Sequence, residues 1–89
     1  MAARSKYTIT FARSARKELH DLGPALVARI LSRIEALASN PRPGGSKKLR
    51  GGGELWRIRV GDYRVIYSVD DAGKTVDVSI IRHRRAAYQ

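Results

Sequence analysis

The stretch LWRIRVGDYRVIY, Leu55 to Tyr67, alternates apolar and polar residues on either side of Gly61-Asp62. Alternation among β-branched and aromatic residues marks a half-buried strand, and a Gly-Asp pair between two such runs predicts a tight two-residue hairpin loop. With that loop, Val60 faces Tyr63, Ile58 faces Val65 and Trp56 faces Tyr67. These six share one face, because successive side chains on a strand point to opposite sides. The other face then holds Arg57, Arg59 and Arg64, with Arg59 directly opposite Arg64. Opposed like charges destabilise a sheet, so the register itself asks where the counter-charge comes from.

Downstream, TVDVSII forms a third strand after a looser turn over Asp71 to Lys74. Pairing Val69 with Val76 adds Val76, Val78 and Ile80 to the apolar face, and Ser68, Asp77 and Ser79 to the arginine face. Upstream, YTITF (Tyr7 to Phe11) is a further strand. ARSARKELHDLG then takes helical spacing, with Ala15, Leu19 and Leu22 on one side, Ser14 as N-cap and Gly23 as the stop. Pro24 suits the first turn of a second helix, predicted over Ala25 to Ser39, whose apolar stripe is Val27, Ile30, Leu31, Ile34 and Leu37. NPRPGG ends it. The glycine-rich GGSKKLRGGG has the spacing of neither common phosphate-binding loop, and reads as a flexible connection around a short strand, KKLR. The expected fold is α+β: an N-terminal strand and a two-helix hairpin packed on a small antiparallel sheet, one domain over residues 1–89.

The 89 residues include 18 Lys and Arg against 8 Asp and Glu, a formal net charge of +10. Such an excess points to a polyanionic partner. No cysteine is present, which excludes disulfides and thiol nucleophiles and fits a reducing cytoplasm. The basic start MAARSKYTITF lacks the apolar run of a signal peptide or membrane span, so membrane association is not expected. The sequence shows no His, Asp or Glu cluster at metal spacing, and no metal or cofactor is expected.

An open antiparallel face can carry solvated arginines with no further role. Alternatively, the missing counter-charge is a ligand's phosphate, which guanidinium groups bind through paired donors. The tail RHRRAAY adds Arg82, His83, Arg84, Arg85 and Tyr88 beside that face. His83 is either a plain surface residue or a proton-transfer group, and Tyr88 either a plug or a stacking partner for a base. His20 carries no functional weight.

The segments KKLRG, LWRIRVGDYRVIY and HRRAAY together resemble the RelE/ParE toxin superfamily, the toxic halves of toxin–antitoxin pairs, and the likeness in element order runs from Tyr7 to Tyr88. RelE-type members are ribosome-dependent endoribonucleases that cut messenger RNA in the A site and are silenced by an acidic RelB-like antitoxin. The resemblance puts RelE catalytic positions on Arg57, Arg59, Arg64 and Tyr88, and on Arg84 or His83 in the tail. Lys47, Lys48, Arg50, Arg82 and Arg85 are then expected to contact RNA or ribosome. Where the best-known RelE has lysines, this chain has Arg57 and Arg59, and a guanidinium cannot serve as general base. His83 takes that role by analogy with superfamily members that use a C-terminal histidine. Two alternatives stand beside this reading: a ParE-like inhibitor of DNA gyrase without catalysis, and a non-catalytic nucleic-acid-binding module.

Overall fold

The structure of the chain, a computed structural model, describes residues 6–51 and 53–83. Its elements run β1 (Thr8–Phe11), α1 (Arg13–His20), α2 (Pro24–Ala36), β2 (Lys47–Lys48), β3 (Leu55–Val60), β4 (Tyr63–Asp70) and β5 (Thr75–His83). The strands form one five-stranded sheet in the order β1-β5-β4-β3-β2. The hairpins β2/β3, β3/β4 and β4/β5 are antiparallel, while β1 joins the outer edge of β5 in parallel, Thr8 opposite Thr75. The sheet is therefore mixed, and the α+β architecture expected from the sequence is the one observed.

The hairpin register is the one its loop dictates: Arg59 pairs with Arg64 and Val60 with Tyr63. Gly61 adopts φ 61°, the left-handed value a two-residue loop needs at its first position. Ile58, Val60, Val65, Tyr67, Val69, Val76, Val78 and Ile81 form the sheet's half of the core, against Ala15 and Leu19 of α1 and Ile30, Ile34 and Leu37. No charged residue among those described is buried. Tyr67, fully covered, donates its hydroxyl to the Pro41 carbonyl at 2.7 Å, which ties the chain after α2 to the middle of the sheet.

Three local expectations are corrected. The N-cap of α1 is Ala12 rather than Ser14, with no side-chain cap; the Ala12 N–H is held instead by the Val78 carbonyl at 2.8 Å. The second helix starts at Pro24 and stops at Ala36, short of Ser39. Leu37, Ala38 and Ser39 continue with N–H bonds to residues three back, the tighter winding common at a helix end.

The third correction reaches the candidate site. The β4/β5 register steps from Ile66 opposite Ile80 to Tyr67 opposite Val78, leaving Ser79 as the extra residue of a β-bulge. Past Ser79 the faces swap. Ile81, 2% exposed, enters the core, while Ile80, expected there, pairs beside Ile66 on the other side. Strict alternation would have aimed Arg82 at the helices, and a buried guanidinium without full pairing costs far more than a buried Ile contributes. The bulge avoids that cost.

Candidate nucleic-acid interface

On the face away from the helices the strand pairs bring cations together three times. Lys47 of β2 is opposite Arg57 of β3, Arg59 is opposite Arg64 of β4, and Arg64 is opposite Arg82 of β5. Opposed side chains sit about 5 Å apart at their Cβ atoms, and like charges so placed destabilise a sheet. The sequence announced only the second of these pairs. The first depends on β2 docking against β3, and the third on the bulge at Ser79.

The outer end of this array is anchored. β1 accompanies β5 only as far as Val78, so beyond it the β5 edge is open to α1. Glu18 fills the opening: one carboxylate oxygen accepts the Ile81 N–H at 3.0 Å, and the other accepts from Arg82 at 3.0 Å (Nε) and 2.8 Å (Nη2). Arg82, expected among the RNA contacts, thus has its charge met within the fold.

Beside β3 lies a cleft of about 320 Å³ lined by Arg33, Gly45, Lys47, Arg57, Ile58 and Arg59. Among the described residues, four of these six are cationic and none is acidic. Arg33 was not singled out from the sequence. A usable signal existed: Arg29 and Arg33 are one helical turn apart on a single stripe of a strongly basic chain. Arg29 lies over the hairpin loop, its Nη2 3.4 Å from where a Cβ on Gly61 would stand.

His83 does not join the arginines. It pairs with Tyr63, on the helix-covered side of the sheet, and the two rings meet edge to face with centroids 5.3 Å apart. It lines a second cleft, about 450 Å³, with Leu26 and Arg29 of α2 and Val60 at the hairpin. The expectation that His83 stands beside the basic face is corrected, and the cause is again the bulge. Of the remaining expected residues, Lys48 pairs opposite Trp56 and Arg50 is exposed on the connection after β2. Arg84, Arg85 and Tyr88 lie outside the described residues. No group of His, Asp or Glu stands together among the described residues as a metal site would require. No described helix is long and apolar enough to cross a membrane.

Comparison with known proteins agrees with this architecture. The family described as ParE toxin of type II toxin–antitoxin system, parDE, matches residues 9–88. Toxin RelG of Mycobacterium tuberculosis is 31% identical over 84 residues, covering 93% of this chain and 97% of RelG. The chain is also similar to the toxin in the archaeal RelE–RelB complex of Pyrococcus horikoshii, at 33% identity and TM-score 0.79 over 89% of this chain and 96% of that one. The isolated RelE toxin of E. coli matches at 26% identity and TM-score 0.76, covering 86% and 83% of the two chains.

Proposed function

The chain belongs to the RelE/ParE toxin superfamily as a RelE-type toxin of a toxin–antitoxin system, and on that premise we propose that it is a ribosome-dependent endoribonuclease cutting messenger RNA in the A site. The observation that carries this reading is the file of opposed cations, Lys47/Arg57, Arg59/Arg64 and Arg64/Arg82, on the face away from α1 and α2. A phosphodiester placed there meets several of these cations at once.

Cleavage of this class is attack by the ribose 2′-oxygen on the adjacent phosphorus, with loss of the 5′-oxygen. The 2′-hydroxyl gives up a proton, the phosphorane gains charge, and the departing 5′-oxygen takes a proton. Arg57, Arg59 and Arg64 hold the phosphate and stabilise the added charge, and removing one such donor costs on the order of 10²-fold in rate. Arginines cannot take the 2′-proton. Proton transfer is proposed for Tyr88, and for His83 if substrate reaches the end of the sheet, while Arg84 assists the phosphate.

An acidic RelB-like antitoxin is the proposed partner, with a cytoplasmic site of action. The Pyrococcus relative is a complex with RelB, and a net charge of +10 speeds capture of an acidic segment. Messenger RNA cleavage on programmed ribosomes tests the activity. Arg64→Ala is expected to lose at least about 10²-fold in rate, and His83→Ala to lose much less. Wild-type cleavage by Arg64→Ala would overturn the reading. So would double-strand DNA breaks with messenger RNA intact, which would assign the chain to the ParE branch.

A further inference from the structure

We propose that Ile66 and Ile80 form a platform for one nucleobase beside the arginine row, so that a strand whose phosphate lies on Arg59 and Arg64 lays the adjoining base over the two isoleucines. The inference rests on the reading of this face as the RNA-cleaving surface and adds to it the place of a base.

The strand register builds the site. On the face away from α1 and α2, Arg59, Arg64 and Arg82 follow one another across β3, β4 and β5, and Arg57, Ile66 and Ile80 form the next row. Arg64 and Ile66 are two residues apart on β4, as are Arg82 and Ile80 on β5, which sets the rows about 6.6 Å apart. The ribose that joins a phosphate to its base spans a step of that size. Both isoleucines remain partly exposed, whereas Val65 and Ile81, next to them in the chain, are buried in the core. Ile80 owes its place to the bulge at Ser79, without which strict alternation would have turned it inward.

The size and the borders of the patch identify the occupant. Past the isoleucines, the next pair on this face of β4 and β5 is Ser68 and Asp77, and Asp77 accepts the Thr10 hydroxyl at 2.6 Å. On these two strands the apolar area therefore ends there. Two partly exposed side chains fall far short of the roughly 800 Å² that each partner brings to a stable protein interface. They do match one flat base, a shape that enzymes acting on nucleic acids hold against apolar or aromatic side chains. The arginine row at the other border selects a ligand that carries its flat apolar part on an anionic backbone. The Ile66–Ile80 pair also stabilises the sheet as any cross-strand apolar pair does, so base contact has to be read apart from stability.

The test is fluorescence-anisotropy binding of the full chain, over a range of salt, to two 2′-O-methylated decamers that cannot be cut, one carrying bases and one abasic. Wild type is expected to prefer the strand with bases. Ile66→Thr/Ile80→Thr keeps the β-branching and removes apolar surface. It should bind the strand with bases about fivefold more weakly, the lower end for loss of one base contact. Its affinity for the abasic strand and both salt slopes should match wild type, because phosphate contacts set the slope. If the threonine pair does not fold, Ile66→Tyr decides: the added ring strengthens binding of the strand with bases alone, or the platform is overturned. An unchanged preference for bases in the threonine variant overturns the platform, even if Arg64→Ala abolishes cleavage and the parent reading stands. Equal loss on both strands also overturns it, since the isoleucines then act only through the fold. Unchanged preference with wild-type self-association lost on sedimentation overturns it too, and assigns the patch to a second copy of the chain. A lost preference with cleavage surviving Arg64→Ala keeps the platform and removes the parent reading.

Discussion

Two regions of this sheet use arginine in different ways. Where β4 turns into β5, Arg42 is held on two sides. Its Nη1 and Nη2 donate to Asp71 at 3.2 and 2.8 Å, and its guanidinium carbon lies 5.3 Å from the centre of the Trp56 ring. Tyr7 adds a hydroxyl donor to the same carboxylate at 2.6 Å. The bonds from Arg42 first, then from Tyr7, bring the Asp71 carboxyl down to about 2. The Tyr7 phenol moves the other way, raised chiefly by its bond to that carboxylate. Toward the hairpin, cations meet cations. The chain places carboxylates where an arginine is to hold structure, at Asp71 and Glu18, while the described lining of the β3 cleft is mainly cationic. Arginines tied to carboxylates in one region, beside cations stacked on cations in the other, set a structural use of arginine against a basic surface.

The sharpest way to break that contrast is to move the structural solution to the hairpin. Arg59→Glu sets a carboxylate opposite Arg64, turning a repulsive cross-strand pair into an attractive one. Cleavage on programmed ribosomes should fall by at least about 10²-fold. Urea unfolding should show stability unchanged or raised by up to about 1 kcal/mol. Loss of activity together with a large loss of stability would mean that Arg59 supports the fold instead.

A smaller effect is expected at the structural end. Tyr67→Phe removes the donor to the Pro41 carbonyl in the core, leaving a buried acceptor unsatisfied, and should cost about 1–3 kcal/mol in urea unfolding. Because Pro41 begins the connection that carries Gly45 and Lys47 to the β3 cleft, RNA binding should weaken as well.

The smallest effect is pH-dependent. The folded-state value of Asp71, about 2, lies below its ordinary value of 3.8, so its contribution is complete above about pH 4 and disappears as pH falls through 2. Asp71→Asn should flatten the acid limb of the stability curve between those limits. The effect should shrink in high salt, since the group is exposed and screened. A wild-type acid limb unchanged by the substitution would show that the Asp71 cluster is ornamental.

Much of this molecule was legible before any coordinates, for a local reason. The period-2 pattern from Leu55 to Tyr67 and the Gly61-Asp62 loop left a single register, and with it the meeting of Arg59 and Arg64. The apolar stripe of α2 was equally plain, because helix periodicity is also a property of neighbours in the chain. The ends of elements were less legible: Ser14 was a sound N-cap by residue type, but the Val78 carbonyl, far along the chain, supplied the Ala12 N–H with another partner.

What only the tertiary structure decided follows from one inserted residue and one docking event. Alternation is counted along a strand, so a bulge at Ser79 reverses every side chain after it. That reversal sends Ile81 inward, brings Arg82 opposite Arg64 and leaves His83 against Tyr63 across the sheet. The Ile80-Ile81 doublet before Arg82 admitted either phase, and only the need to keep a guanidinium out from under the helices chose between them. Arg33 met Lys47 for a similar reason: they are brought to one cleft by the packing of α2 and the pairing of β2, and no periodicity spans two elements. The sequence by itself determined which residues could face together; the contacts between elements determined which of them do.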